Sequence, residues 1–383
     1  MEKDIRTDKK RDIGVAVDLG STSIAVSCFD VNTKEELTSF SYTNPQTAYG
    51  ADVMTRIKLC AGHEDMLAKL GKLVKESLKE QLMEHISGDF YQIKKIVYSG
   101  NTTMLHILQG LSVDGLAAVP FTPENVEFDR QDIAFGEVFS CKAAENSNIV
   151  PVYYPPGFSA FVGADILTGV EFLKMGQHDY YDLLVDLGTN GEMVLLNRYN
   201  GYASSTACGC VFDSAVTGAV YGSECIKAIA NCIKRNLIDE NGMIAAPYFD
   251  KGIVIDKGFV IKQEHVRKFQ LAKGAINAGI TCLMERAGIT ADVIGNVYIS
   301  GGLGFYMNVR EAFVVKMLPE ALKGKIMVSG NTSLEGAKKL LLADETKLTH
   351  ILEAYEAIKS RTQSFELANF EGFQEEFMKA LNF

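Results

Sequence analysis

The 383-residue sequence lacks the long apolar segments of membrane proteins, because no run of 18 or more apolar residues occurs in it. Its first 12 residues, MEKDIRTDKKRD, are charged and have no apolar core of the kind that marks a signal peptide. The eight cysteines therefore indicate reduced cytosolic thiols rather than a disulfide framework. These absences predict a cytoplasmic protein that does not bind a membrane.

The sequence also lacks an excess of positive charge, with 38 basic against 48 acidic residues and a net charge of −10. Binding to a phosphate backbone needs a basic surface, so nucleic acid is not expected as the main ligand. Binding of a single nucleotide is compatible with a negative net charge, because backbone N–H donors and a metal can hold the nucleotide locally. The length predicts two domains or two lobes, each with its own core.

Three familiar nucleotide and metal motifs are missing. There is no G-x-x-x-x-G-K-[ST] and no G-x-G-x-x-G after a strand, which argues against P-loop and Rossmann proteins. The pair His63-Glu64 is not followed by the second histidine of a zinc-protease helix.

Two similar stretches are present instead: VAVDLGSTSIAVSCFD at 15–30 and LLVDLGTNGEMVLL at 183–196. Each predicts an apolar strand that ends on an aspartate, a glycine-rich turn and a second strand. Such a turn exposes successive N–H groups that can bind an anion, and a carboxylate beside it can hold hydrated Mg²⁺. One copy alone is usually a plain hairpin, but two copies in matched contexts favour a shared function.

We therefore predict that the two hairpins face each other and bind a triphosphate from both sides. Asp18 and Asp186 would share the magnesium ion, largely through water. The amide and hydroxyl donors would come from Gly20, Ser21, Thr22, Gly188, Thr189, Asn190 and Gly191.

The rest of the chain indicates a weak internal duplication of β-β-β-α-β-α units. KIVYSGNTTML at 95–105 and NVYISGGLGFY at 296–306 each place a strand that ends in Ser-Gly at the corresponding point. An amphipathic pattern at 63–87 predicts a long helix. Residues 112–160, rich in Pro, Phe and Tyr, predict an irregular crossing.

The sequence predicts four segments along the chain. They are a flexible arm at 1–12, a first lobe at 13–177, a second lobe at 178–345 and a helical segment at 346–383 that packs back on the first lobe.

With these two hairpins and three further elements, the sequence resembles the superfamily of actin, the sugar kinases and the chaperone ATPases. That resemblance implies an α/β, two-lobed, actin-like fold (a duplicated ribonuclease H-like unit) with a nucleotide cleft between the lobes. Besides the hairpins, the matching elements are a first connecting helix FVGADILTGVEFL at 161–173, an adenosine element VYISGGLGFY at 297–306 and a second connecting helix SGNTSLEGAKKLLL at 329–342.

The resemblance to this superfamily implies roles for several residues. Gly301, Gly302 and Gly304 would let the backbone approach the nucleoside, and Phe305 would pack near it. Gln270 and Lys273 would contact adenosine, or else lie on a solvated helix face. Asp165 would orient the attacking water, or else hydrogen-bond where the connecting helices cross.

A narrower resemblance rests on NPQTAYGADVMTRI at 44–57, GNTTMLHILQG at 100–110 and VRKFQLAKGAINAGI at 266–280. These resemble the ATPase domain of the reductive activators of corrinoid proteins, and the match runs from about residue 13 to residue 345. It implies an ATPase that helps to return a Co(II) corrinoid to Co(I). The implied partners are a corrinoid protein of a methyltransferase system and a separate iron–sulfur or ferredoxin-type reductant, and a homodimer is left open.

The same resemblance implies that four residues of the 44–57 segment matter beyond folding. Read alone, the segment would be a capped turn and the start of a helix. The four residues are Asn44, Gln46, Asp52 and Arg56.

The sequence departs from that family at its cysteines. The family carries an iron–sulfur module, whereas no C-x₂-C array occurs here and the chain begins almost at the first hairpin. Cys208, Cys210, Cys225 and Cys232 have a spacing that favours buried or loop thiols over a metal site, so no iron–sulfur cluster is expected. The loop at 207–219 also differs from the Ala/Gly/Pro-rich loop of the family.

Two other functions stay open on the sequence alone. One is a small-molecule kinase with the same nucleotide site, although no sugar or acid signature is evident. The other is a nucleotide-binding scaffold or regulator with little turnover, which the altered 207–219 loop would suit.

Overall fold

Two α/β units, each built on a six-stranded sheet, make up the chain in a computed structural model. One unit comprises Met1–Pro156 and Leu334–Leu352, and the other comprises Gly157–Ser333 and Glu353–Phe383. The structure describes residues 11–86, 93–139, 148–208, 222–255 and 260–383. The predicted N-terminal arm lies outside the described residues, except for Arg11 and Asp12.

The first unit has the strand order β3-β2-β1-β4-β6-β5. Its strands are β1 Ile13–Leu19, β2 Ser23–Asp30, β3 Glu36–Thr43, β4 Ile93–Gly100, β5 Asp129–Ala134 and β6 Ile149–Tyr154. Its helices are α1 Val53–Cys60, α2 Glu64–His85, α3 Thr102–Gln109 and α4 Phe135–Val138. Strand β1 pairs antiparallel with β2 and parallel with β4, and nearly every residue of it is buried. A strand covered on both faces reads as a continuous apolar run, as IGVAVDL does.

The amphipathic helix predicted at 63–87 is confirmed as α2. Its buried side chains recur every three or four residues and pack towards the core. They are Leu67, Leu70, Val74, Leu78 and Leu82.

The second unit has the strand order β13-β12-β7-β8-β9-β14. Its strands are β7 Tyr181–Leu187, β8 Gly191–Leu196, β9 Gly201–Thr206, β10 Ile253–Val254, β11 Val260–Ile261, β12 Ile294–Ser300, β13 Ile326–Val328 and β14 Thr362–Ser364, of which β10 and β11 form a separate small sheet. Its helices include α5 Ala164–Phe172, α6 Gly222–Lys234, α7 Gln263–Ala287, α8 Gly301–Tyr306 and α9 Val309–Val314. The order β9-β8-β7-β12 repeats the order β3-β2-β1-β4, so the predicted duplication is present in the strand topology.

Helices α10 Thr332–Leu341 and α11 Glu345–Ser360 contribute residues to both units, and α12 Phe373–Lys379 belongs to the second. The boundaries differ from the predicted ones, because residues 157–177 and 353–383 lie in the second unit, where α12 packs on α7. The predicted connecting helices correspond to α5 and α10.

The expected irregular crossing at 112–160 is wrong for part of its length. Residues 129–134 and 149–154 form the antiparallel strands β5 and β6. Pro151 lies inside β6 and obscured the strand pattern, because proline is rare in strand interiors. Among the described residues, no helix combines the length and the apolarity that a membrane span needs.

Candidate functional site

The turn of the first hairpin lies at the edge of the sheet where the parallel strands β1 and β4 have their carboxyl ends. Asp18 lies opposite Ser99 of β4 in parallel register, and Leu19 lies opposite Gly100. A Cβ on Gly100 would lie 2.7 Å from the carbonyl oxygen of Leu19, so the two chains approach closely here. The carboxyl edge of parallel strands is where ligands bind in open α/β sheets. Asp18 and the turn at 20–22 therefore stand where a ligand site is expected.

The carbonyl oxygens of this turn are bonded by two side chains of the 44–57 segment. Asn44 Nδ2 donates to the Gly20 oxygen at 2.8 Å, and Arg56 Nη2 donates to the Ser21 oxygen at 2.5 Å. Arg56 has no exposed surface. Its burial lowers the pKa of the guanidinium to about 10, an effect that Asp52 opposes, so the group stays charged at neutral pH.

Capping hydrogen bonds within the 44–57 segment hold these side chains against the carbonyl side of the turn. Asn44 Oδ1 accepts from the Gln46 backbone N–H at 2.9 Å, and Asp52 Oδ1 accepts from the Thr55 N–H at 2.7 Å to cap α1. The reading of 44–57 as a capped turn and a helix start is thus confirmed. A role for these residues beyond folding stays a prediction.

The second hairpin repeats the arrangement in its own sheet. Asp186 lies opposite Ser300 of β12 in parallel register, and Ser300 Oγ donates to Asp186 Oδ2 at 2.5 Å. Gly188 N–H donates to the Asn190 oxygen at 3.0 Å and closes the turn. Gly301 has a φ of 83°, and a Cβ there would lie 2.6 Å from Asp186 Oδ1. The predicted adenosine element therefore lies against Asp186 at Ser300 and Gly301.

Two further carboxyl groups lie near Asp186. Glu192 is its cross-strand partner on β8 and is buried, with the Asn190 side chain as a hydrogen-bond partner. Burial, and then the negative charges of Asp165 and Asp186, raise the pKa of Glu192 well above its usual value. The predicted Asp165, in the first turn of α5, thus lies in the same region of the second unit as Asp186.

Glu192 was missed in the sequence, although a signal for it exists. Cross-strand partners in an antiparallel pair present their side chains on the same face. Counting outward from the turn of DLGTNGE pairs the glutamate with the aspartate.

Gln270 and Lys273 occupy an unexpected place. Gln270 Nε2 donates to the Leu381 oxygen at 2.9 Å, and Lys273 Nζ donates to the Asn382 oxygen at 2.5 Å. Both are almost completely buried, so a solvated helix face is wrong. Burial, and then the charge of Lys316, lower the pKa of Lys273 to about 7. Contact with adenosine stays a prediction for both.

The remaining predicted nucleoside contacts lie in α8, a six-residue helix that contains Gly302, Gly304 and Phe305. The Phe305 side chain lies outside what the structure describes. Space for a Cβ is open around Gly302.

The cysteines described are buried thiols. Cys208, Cys225 and Cys232 are all buried, and burial raises the pKa of Cys225 to about 12, which disfavours a thiolate ligand. Cys210 and most of the 207–219 loop lie outside the described residues.

Within the described ranges, no group of three or more His, Cys, Asp or Glu side chains could hold a metal ion. Mg²⁺ usually keeps several waters and takes only one or two carboxylates together with substrate phosphates. Asp18 and Asp186 each carry carboxylate oxygens of the type that such binding uses, and their role as metal ligands stays a prediction.

Comparison with known families assigns this architecture to a class. Residues 211–383 match the C-terminal domain of RACo, which is an ASKHA domain, so the predicted actin-like fold class is confirmed. Residues 13–178 match the RACo middle region. The chain carries both regions and therefore belongs to the RACo family, as its resemblance to the corrinoid activators indicated.

Similar proteins carry names from corrinoid chemistry. The chain is 28% identical to the corrinoid activation enzyme RamQ of Eubacterium limosum, over 95% of this chain and 69% of the relative. It is 23% identical to the Co(II) methylated amine-specific corrinoid protein reductase of Methanosarcina barkeri, over 97% and 77% respectively.

A solved structure of a reductive activator for corrinoid, iron–sulfur protein superposes with a TM-score of 0.85 at 26% identity. The superposition covers 98% of this chain but 66% of that one, so the chain spans about two thirds of the solved protein.

Proposed function

We propose that the chain is a magnesium-dependent ATPase that supports the reductive reactivation of a Co(II) corrinoid protein. Its electron would come from a separate iron–sulfur or ferredoxin-type protein. The observation that carries the proposal is the repeated Asp-Gly hairpin at the carboxyl edge of each sheet, beside a parallel strand that ends in Ser-Gly. The family assignment and the names of the relatives support the corrinoid partner.

In this proposal the two aspartates hold the hydrated metal and the turns bind the phosphates. Magnesium, when bound, neutralises part of the charge that develops on the transferring phosphoryl group. Asp18 and Asp186 would hold the metal, largely through water. The proposed donors to phosphate oxygens are the backbone N–H and hydroxyl groups of Gly20, Ser21, Thr22, Thr189, Asn190 and Gly191. The N–H of Gly188, which the sequence also predicted as a donor, instead donates to the Asn190 oxygen.

Asp165 is the residue we assign to the attacking water. Burial, and then the charges of Asp165 and Asp186, raise the pKa of Glu192 and favour its protonated form, so Glu192 is a poorer acceptor for a proton of water. A charged carboxylate can accept a hydrogen bond from water and orient its oxygen towards the phosphorus atom.

Hydrolysis of ATP to ADP and phosphate would supply the free energy for a reduction that is uphill for the cell's electron donors. One electron converts Co(II) to Co(I), and the reductant, not ATP, provides it.

An anaerobic assay of phosphate release tests this function. Purified protein with MgATP should release phosphate, and a Co(II) corrinoid protein with a reduced ferredoxin should raise the rate while Co(I) absorbance appears. A strict requirement for a small hydroxylated or carboxylated acceptor would indicate a kinase instead. Binding without turnover under all conditions would indicate a scaffold. Either result contradicts the proposal.

A further inference from the structure

Three consecutive carbonyl oxygens of the first turn are bonded by the same two residues. The Gly20 oxygen accepts from Asn44 Nδ2 at 2.8 Å, and the Thr22 oxygen accepts from the Asn44 backbone N–H at 2.9 Å. Between them, the Ser21 oxygen accepts from Arg56 Nη2 at 2.5 Å. One side of the turn is therefore fixed by its carbonyl groups.

This contact sets the direction of the neighbouring N–H groups. In a trans peptide the C=O and N–H bonds point in opposite directions. With the carbonyls of Gly20 and Ser21 directed at Asn44 and Arg56, the N–H groups of the same peptide planes point to the other side. Those N–H groups belong to Ser21 and Thr22, and Thr22 is partly exposed. The positive ends of two peptide dipoles thus face away from Arg56.

Arg56 is itself held by the surrounding structure. Its Nε donates to the Gly50 oxygen at 3.1 Å, and its Nη1 donates to Gln46 Oε1 at 3.2 Å. Gln46 Nε2 in turn donates to the Leu70 oxygen of α2 at 3.0 Å. The turn is thereby tied to the longest helix of its unit through one guanidinium group.

The buried positive charge of Arg56 also acts on groups at the turn. Its hydrogen-bond partners are neutral: the carbonyl oxygens of Ser21 and Gly50, the amide oxygen of Gln46 and the sulfur of Met104. The negative charge of Asp52 also acts on the guanidinium, but no hydrogen bond or ion pair joins that carboxylate to the guanidinium among the contacts described. A positive charge with little solvent around it acts over a longer range than an exposed one. It favours an anion on the far side of the turn.

We propose that Arg56, together with Asn44, positions the first turn for nucleotide phosphates and adds a fixed positive charge beneath it. The inference rests on the proposed binding of MgATP. Arg56 acts through the backbone of Gly20 and Ser21 and is a positioning residue. Its removal should therefore weaken phosphate binding at temperatures where the protein is still folded.

Calorimetric titration with MgATP and with sodium pyrophosphate, beside thermal unfolding, tests the role. Arg56→Met should weaken both affinities about tenfold or more, since hydrogen bonds to charged groups are among the stronger ones. Arg56→Lys keeps the charge and should recover part of the affinity. The control Leu78→Ala removes core packing on α2 away from the turn and should lower stability with unchanged affinity.

A second variant covers the case in which Arg56→Met does not fold. Asn44→Ser keeps an oxygen that can cap the following turn but removes the amide that bonds the Gly20 oxygen. It should weaken MgATP binding, and hydrogen exchange should be faster in the peptide that contains Ser21 and Thr22.

The possible failures are distinguishable. This inference alone would be overturned if the wild type binds MgATP and a folded Arg56→Met or Asn44→Ser variant binds it with the same affinity. Wild-type protein that binds neither MgATP nor pyrophosphate would overturn the proposed function and this inference together.

Discussion

Lys273 shows how tertiary contacts change the chemistry of a single residue. It lies on a helix where the sequence allows a nucleoside contact or a solvated face, yet the structure buries it against the oxygen of Asn382. Burial lowers its pKa to about 7, whereas an unfolded lysine titrates near 10.5.

This shift predicts how stability depends on pH. Between about pH 7 and pH 10.5 the unfolded chain holds a proton that folded Lys273 has released, so raising the pH favours the folded state. Below that window both states are protonated, and the cost of burying the charge is fully present. Lys273→Met removes the effect. The stability of the wild type relative to this variant should rise by up to about 1.4 kcal/mol per pH unit.

Urea unfolding at pH 7.5, 8.5 and 9.5 measures that slope. Lys268→Met is the matched control, because Lys268 is exposed on the same helix and its loss should leave the slope of the wild type unchanged. Parallel pH profiles for wild type and Lys273→Met would contradict the assignment.

At the scale of elements, the crossing of α2 and α3 depends on one small residue. Gly71 lies on α2, and a Cβ there would lie 2.6 Å from the backbone oxygen of Ile107 on α3. A backbone atom cannot move aside as a flexible side chain can, so the two helices would have to separate.

Gly71→Ala should therefore destabilise the first unit by about 1–3 kcal/mol, the usual cost of overpacking. The better helix propensity of alanine opposes this loss by about 1 kcal/mol. A net loss of stability would therefore show that overpacking outweighs the gain in helix propensity. Chemical unfolding measures it. Lys72→Ala, at the neighbouring exposed position, should change stability little. A stabilised Gly71→Ala variant would show that the crossing tolerates a methyl group.

The connection order of the strands is the second element-scale feature. In each unit a central strand pairs with the next strand in the chain and with a later parallel strand, and the hairpin aspartate meets a serine of that later strand. The pairs are Asp18 with Ser99 and Asp186 with Ser300. The sequence predicted this repeat because both strand-turn-strand patterns and both Ser-Gly strand ends are local signals.

At the scale of the whole molecule, each unit carries one hairpin aspartate, Asp18 in the first and Asp186 in the second. A ligand that binds only the folded state stabilises it by about 2.7 kcal/mol at a hundred times its Kd. If both hairpins serve one nucleotide, losing either carboxylate should remove most of that gain.

Thermal unfolding with and without MgATP checks this expectation for Asp18→Asn and for Asp186→Asn. Each variant should lose most of the nucleotide-dependent rise in Tm. Asp132→Asn, an exposed carboxylate of the first unit, should keep it. Full stabilisation of either hairpin variant would remove that hairpin from the nucleotide site.

By itself the sequence determined the two Asp-Gly hairpins, the duplicated unit and the long helix α2, because these follow from the spacing of consecutive residues. The family came from the resemblance of its motifs and from the match to family models. Tertiary structure alone decided that Lys273 bonds Asn382, 109 positions away, and that Arg56 lies beneath the turn at Ser21. Such contacts join segments that are distant in the chain, and no local pattern specifies which distant group a buried side chain will meet.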